Sequence, residues 1–333
     1  MFKKLFLCLT LFTLLVSESR AETLTWSASD SPREINGTYT IPKGTTVVVE
    51  AGAHVQINAY STLEVEGELR AEGSPDNPVR FTAPDNYSAN LRVRGSLTLR
   101  HAQVQVSTGL NNNSSLIASD TTFSRFGTVR TAEGLLPPGQ ALPYLQFDRC
   151  AFRGDGTFLS ANLYVSYCTL AIRDTEFRDG SILNASYCYL LLDRVTSDRS
   201  AQDGLSLGSD SDLYVNNVTV TNAAKEGLHL GGDTRNGGNV HIGPQVRLEG
   251  NEYPVGLGVA GLWPESVIPS AGKRNNLIRI TGATAALWPK FDLPYLVDAS
   301  PPVISGNTQA LPVPFSSIII IIPKSGTRTV SLP

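Results

Sequence analysis

One phrase recurs seven times between Leu97 and Leu248, and it leaves few folds open to this chain. An apolar pair at alternate positions is followed by a polar turn, a second apolar pair and a small or polar stop. The copies begin with Leu97-x-Leu99 then Ala102-x-Val104, Leu116-x-Ala118 then Thr121-x-Phe123, and Leu145-x-Phe147 then Cys150-x-Phe152. They continue with Leu170-x-Ile172 then Thr175-x-Phe177, Leu190-x-Leu192 then Val195-x-Ser197, and Leu213-x-Val215 then Val218-x-Val220. The seventh, Val240-x-Ile242 then Val246-x-Leu248, carries one extra turn residue. Start-to-start spacings are 19, 29, 25, 20, 23 and 27 residues. Alternation with period two marks strands, and a repeat in the twenties marks a solenoid. Each unit has too little apolar surface to fold alone, so it must stack on its neighbours. The expected architecture is an all-β parallel β-helix of about nine coils.

The ends read differently. Lys3-Lys4, the apolar run Leu5 to Val16 and Ser19-Arg20-Ala21 have the charge, length and small-x-Ala pattern of a signal peptide over 1–21. That run is short for a membrane span, which points to export rather than anchoring. Cleavage after Ala21 would remove Lys3, Lys4, Arg20 and Glu18, taking the formal charge from −3 to −5. A mildly acidic balance argues against a nucleic-acid partner, which needs a basic stripe. Cys150, Cys168 and Cys188 remain in the mature chain, an odd number for an exported protein. Cys168 and Cys188 each stand two residues before the first Leu of a repeat, so they should stack on the inward face of successive rungs. A ladder of small buried thiols is the favoured reading; a disulfide is sterically conceivable but would strain an in-register stack.

Residues 22–82 read as opening coils, 83–260 as the repeats, and 261–333 as a cap or the start of a second β-helix. Trp288-x5-Pro294-x-x-Val297 repeats the spacing of Trp26-x5-Pro32-x-x-Ile35, and Ile322-Pro323-Lys324 echoes Ile41-Pro42-Lys43. The run Ile318 to Ile322 is expected to dock on the last rung, since an uncovered edge strand of that composition would aggregate. In the opening coils, Leu63-x-Val65-x-Gly67-x-Leu69-x-Ala71-x-Gly73 leads through Pro78 to Val79-x-Phe81-Thr82. This stretch resembles the opening coils of secreted bacterial right-handed parallel β-helix proteins of the pectate-lyase-like superfamily. Tyr214 to Asn222, followed by Gly227-Leu228-His229-Leu230, is similar to that superfamily's generic coil. The resemblance implies a right-handed coil and export, and implies little about activity, because the superfamily holds lyases, hydrolases and non-catalytic surface proteins alike.

Aligned repeats stack His101, Asp120, Arg149, Asp174 and Arg194 in one column and Asp148, Arg173 and Asp193 in the next. Alternating sign of this kind reads as pairing between neighbouring turns, with Asn216 and Asn217 resembling the superfamily's amide ladders. Two groups are candidates for function. Tyr164, Tyr167, Tyr187 and Tyr189 are expected to face outward near one another, and flat exposed rings suit the apolar faces of sugars. The equivalent strands Leu205-x-Leu207 and Leu228-x-Leu230 lead into Gly- and Asp-rich loops. These are expected to gather Asp210, Asp212, Asp233 and Arg235 near His229. Asp210, Asp212 and Asp233 are the candidate Ca²⁺ ligands, and the whole group is the candidate centre of a polyuronate lyase or hydrolase. The chain has no Asp-Asp, no Gly-His-Gly and no His-Glu-x-x-His. The favoured expectation is a non-catalytic secreted or cell-surface protein contacting polysaccharide or another surface, with no membrane span. The alternatives are a polysaccharide lyase or hydrolase and a purely structural spacer.

Overall fold

The computed structural model describes residues 21–84, 88–125, 127–131, 140–154, 160–208, 212–231, 240–243, 245–257, 278–280, 295–297 and 319–321. The proposed leader therefore lies almost wholly outside the described residues, and so does most of 261–333. Every strand pairing is parallel. Three strands make one rung, and each rung lies in register on the next, forming a β-solenoid with three flat faces.

Among the described residues the first face stacks ten strands, from Glu22–Trp26 through Thr45–Glu50, Glu68–Glu72, Ser96–Arg100, Ser115–Ser119, Tyr144–Asp148 and Thr169–Arg173 to Val240–Ile242. About nine turns separate its ends, as the repeat implies. The second face runs from Arg33–Ile35 to Arg247–Glu249. Tyr189–Asp198 and Asp212–Thr221 pass round the corner between these faces unbroken, so the two faces join as one sheet, of eighteen strands among the described residues. The third face is a separate sheet, with thirteen strands among the described residues, from Thr38–Ile41 to Ile319–Ile321. Its last strands, Ile278–Ile280, Tyr295–Val297 and Ile319–Ile321, pair in succession.

The recurring phrase is the first and second faces read in order. In its first six copies both apolar pairs are buried, and Thr121, Thr175 and Ser197 take apolar positions at 2% exposure or less. Stacking in register turns each inward position into a column of like side chains. Phe123, Phe152 and Phe177 show the consequence, with successive rings parallel and their centroids 4.7 Å apart. That distance is the spacing of the strands themselves. Rung-to-rung packing therefore costs the rings no change of rotamer.

Single residues in the left-handed region make the corners. Between the first and second faces these are His101, Asp120, Arg149, Asp174, Arg194 and Asn217, with φ of 46–53°. At the end of the second face they are Arg125, Asp179, Arg199, Asn222 and Gly250. Before the first face, Tyr167 and Tyr187 do the same. The left-handed conformation costs a non-glycine residue roughly 1–2 kcal/mol. Here it keeps the amide in the inter-rung ladder. The Asp120 N–H donates to the Asp148 carbonyl, Arg149 to Arg173, Asp174 to Asp193, Asp179 to Asp198 and Tyr167 to Ser186. An orphaned buried amide would cost about 1–3 kcal/mol, so the strained corner is tolerated.

The corner side chains point outward and make the ion-pair columns. Arg149 donates to both oxygens of Asp120, at 2.8 and 2.9 Å, and also pairs with Asp148. Arg194 repeats this with Asp174 and Asp193, while Arg199 places two donors on the single oxygen Asp179 Oδ1 and also pairs with Asp198. Each Arg thus bridges the preceding rung and its own sequence neighbour. Asn216 and Asn217 both donate to Asp193, continuing the column with amides. These pairs are exposed and add little stability individually.

Glycine is required where rungs press closest. A Cβ on Gly95 would sit 2.0 Å from the Gly67 carbonyl oxygen of the previous rung, whereas one on Gly109 would meet nothing within 4 Å. Gly95→Ala is therefore expected to destabilise by more than about 2 kcal/mol. Gly109→Ala, in an open strand position, should be neutral or stabilising by up to about 1 kcal/mol. Equilibrium denaturation of both variants checks this; equal effects would show that the rungs are not in such close contact.

Candidate functional site

Outward positions of the first face fall into rows as strictly as inward ones. One row runs Ser96, Ser115, Tyr144, Thr169, Tyr189, Asp212, and the next runs Thr98, Ile117, Gln146, Ala171, Leu191, Tyr214. Across the five rungs from Ser96 to Leu191 these two rows contain no charged residue. The flanking row is the opposite, carrying Arg100, Asp148, Arg173 and Asp193. Earlier rungs are also charged, with Glu68 and Arg70 in the same two rows. The result is a flat, uncharged strip along the middle of one face, bordered by charge.

Aromatic rings crowd this strip. The exposed large hydrophobic side chains among the described residues are Tyr60, Ile117, Tyr144, Tyr187, Tyr189 and Tyr214, and all but Tyr60 lie on the first face or its adjoining corner. Tyr144 and Tyr189 stand two rungs apart in one row, about 10 Å at the usual strand spacing. The Tyr144 hydroxyl donates to Gln146 Oε1 at 2.8 Å, which holds its ring along the face. At the corner, the Tyr167 and Tyr187 rings stack with centroids 4.7 Å apart and planes 2° from parallel. The left-handed backbone at both residues turns these rings outward beside the strip.

Of the four tyrosines expected to act together, three do assemble here: Tyr167, Tyr187 and Tyr189. Tyr164 does not. It stands on the third face between Arg130 and Asn184, with the Arg130 guanidinium 5.7 Å from its ring centre. Tyr144 and Tyr214 complete the strip and were missed by sequence reasoning that sought tyrosines near one another in the chain. Tabulating the outward positions of each repeat would have found both, since they flank the inward residues Leu145, Leu213 and Val215.

The acidic candidates divide differently. Asp210, Asp233 and Arg235 lie outside the described residues. Asp212 begins a first-face strand in register with Tyr189, whereas His229 lies on the third face in register with Ser206 and Gly256. His229 instead belongs to a group with Asp203 and Glu226, whose ligand-type atoms all lie within 4.8 Å of one another. A signal for this group was present. Asp203 and Glu226 are 23 residues apart, the same interval as the paired strands Leu205–Leu207 and Glu226–Leu230, so the topology stacks two carboxyls on adjacent rungs.

Two stacked carboxyls in a sheltered place cannot both ionise cheaply. Burial, with the hydrogen bond to and repulsion from Glu226, pushes the Asp203 carboxyl up to about 7. Burial also opposes ionisation of Glu226, but the hydrogen bond from Asp203 and the Arg279 guanidinium keep it below the usual carboxylate range. Arg279 Nη1 donates to Glu226 Oε1 at 2.9 Å. Burial holds His229 below the usual imidazole value, against the pull of Glu226 and with help from Arg279 and Lys225. Asp203 Oδ1 and His229 Nδ1 are buried without a hydrogen-bond partner. Glu226 is only 2% exposed, and a Cβ on Gly256 would lie 2.5 Å from its Cγ, so the next rung covers it. Two carboxyls and an imidazole, one carboxyl already paired with Arg279, are too few oxygens for Ca²⁺, which takes six to eight. The group is best described as a covered, proton-sharing carboxyl pair.

A pH dependence follows. The folded state holds the Asp203 proton to near pH 7, while the unfolded chain releases it near pH 4. The stabilisation is therefore complete below about pH 4 and is lost as pH rises through 7. Asp203→Asn keeps a donor toward Glu226 without titrating. Its thermal midpoint should exceed that of the wild type at pH 8, with the difference shrinking towards pH 5. Parallel pH profiles for the two proteins would remove the shared proton.

Comparison with protein-family models, with curated proteins and with solved structures finds no match. The functional reading therefore rests on the geometry of the faces.

Proposed function

We propose that this chain is a non-catalytic secreted or cell-surface β-helix protein that binds an extended, uncharged polysaccharide along its first face. The observation that carries this reading is the strip of Ile117, Tyr144, Tyr189 and Leu191 on rungs without intervening charge, with Tyr214 on the next rung beside Asp212. A polymer with a repeating unit meets a surface that itself repeats, and the apolar faces of pyranose rings match tyrosine rings whose hydroxyls stay in water. Export is supported by the leader-like pattern of residues 1–21. Kinship with the pectate-lyase-like superfamily is supported by the Leu63 to Thr82 pattern.

The strip favours neutral polymers over polyuronates. The nearest concentration of arginine is the groove lined by Arg149, Arg153, Arg178 and Arg194, of about 630 Å³. Those guanidiniums already face Asp120, Asp174 and Glu176 across the groove. An incoming carboxylate would have to displace a neighbour rather than fill a vacancy.

A hydrolase reading is favoured by one observation, the raised Asp203 carboxyl beside Glu226, since perturbed carboxyl pairs are the usual means of acid–base chemistry. Its weakness is access. A catalytic carboxyl must come within hydrogen-bond reach of the substrate, and Glu226 is covered by the following rung.

Sedimentation with insoluble cellulose, chitin and mannan, and with calcium-gelled pectate as the charged control, tests the proposal. Retention is expected on at least one neutral polymer and not on pectate. Tyr144→Ala with Tyr189→Ala should weaken it by roughly tenfold or more, about 1.4 kcal/mol, with unchanged circular dichroism. Retention on pectate alone, or shortening of any polymer, would contradict the reading. Concentration-dependent dimerisation abolished by the same variant would instead assign the strip to a second copy of the chain.

A further inference from the structure

We propose that Cys168 and Cys188 become joined by a disulfide as the chain folds, pinning together the two rungs whose tyrosines stack beside the strip. Both side chains point into the core from the same corner, each directly after its left-handed tyrosine, and are 0% and 2% exposed. The Tyr189 N–H donates to the Cys168 carbonyl, and Thr169 pairs with Tyr189, so the two cysteines occupy equivalent places on neighbouring rungs. Their Cα atoms are thus one strand spacing apart, about 4.8 Å. That lies inside the window of about 4.4–6.8 Å over which disulfides form.

Both residues stand as thiols in the structure, with their sulfurs 2.9 Å apart. Two thiols in ordinary van der Waals contact stand farther apart than this, and loss of the two hydrogens removes the crowding. Cys188 Sγ also lies 3.0 Å from the Ser186 carbonyl. Cys150 offers no competing partner. It follows Arg149 at the opposite end of the first face and points toward the Ala118 and Asp148 carbonyls, 3.5 Å from each. Burial pushes the Cys150 thiol up to about 12, which leaves it inert at neutral pH.

The required oxidant is a small or protein disulfide. One cysteine thiolate attacks a sulfur of that disulfide, giving a mixed disulfide and releasing one thiolate. The second cysteine thiolate then displaces the other half. In total two electrons pass to the oxidant, the S–S bond forms, and two protons end on the two released thiols. Neither sulfur is accessible once the rungs close, and contact with Cys188 followed by burial pushes the Cys168 thiol far above its usual value. The exchange therefore belongs to folding, before the following rung covers the corner.

The test uses the full chain, folded from denaturant in a buffer of glutathione and glutathione disulfide, then denatured in excess maleimide. Cys8 and Cys150 should label, while Cys168 and Cys188 should label only after reduction. Trypsin cuts at Arg173 and Arg178, between the two cysteines, and should release their peptides joined. Labelling of all four cysteines, or a link that includes Cys150, would overturn the proposal. A second measurement separates bonding from mere proximity. Reductant should lower the thermal midpoint of the oxidised wild type and leave that of the Cys168→Ala, Cys188→Ala protein unchanged. Equal responses would overturn the pinning role. Neither result depends on whether the strip binds glycan.

Discussion

The inter-rung backbone ladder is the constraint on which the rest of this molecule depends. Each rung offers a full set of amides and carbonyls to its neighbours, and any shift in register by one residue would turn every inward side chain outward. The chain must also bend three times per turn without leaving that ladder. It does so with one left-handed residue at a corner, whose amide donates across the corner to the next rung. The strain of that conformation is comparable to the cost of an unsatisfied buried amide, so the corner is accepted rather than avoided. Asp and Asn at several of these sites fit the usual tolerance for positive φ. Arg and Tyr adopt it less readily, and at these corners their side chains point outward into the ion-pair columns and the tyrosine stack.

Once register is fixed, every position becomes a column, and columns explain most of the particular chemistry. Apolar columns fill the core, as with the parallel rings of Phe123, Phe152 and Phe177. Charged columns must alternate or be diluted by amides, as Asp120, Arg149, Asp174, Arg194 and Asn217 do. Where two carboxyls fall in one sheltered column, at Asp203 and Glu226, one of them keeps its proton to about pH 7. Uncharged outward columns make a flat strip, and its tyrosines acquire the periodicity of the rungs. No helix among the described residues is long and apolar enough to cross a membrane.

Much of this was legible in the sequence because stacking makes equivalent residues recur. Leu205 and Leu228 were expected to pair and do, and Cys168 and Cys188 were expected to stack inward and do. The charge columns were legible as alternation, but not the direction of pairing: Arg149 reaches back to Asp120 rather than forward to Asp174. That choice depends on where the left-handed backbone aims each side chain, which spacing does not encode. The third face was largely hidden, since its strands follow loops of variable length. Tyr164 falls apart from Tyr167 for the same reason: the three-residue step between them includes a corner, which leaves Tyr164 on the third face. The buried carboxyl pair was overlooked because acidic residues in turns are ordinary, and only the 23-residue interval sets these two apart.

Oxidative footprinting of tyrosines, with and without a retained neutral polysaccharide, tests the central claim most directly. Tyr144, Tyr187, Tyr189 and Tyr214 are expected to become shielded together, while Tyr60, 79% exposed and away from the strip, reacts as before. Shielding of Tyr60 and Tyr164 with the strip still reactive would place the ligand elsewhere and contradict the first face as the binding surface.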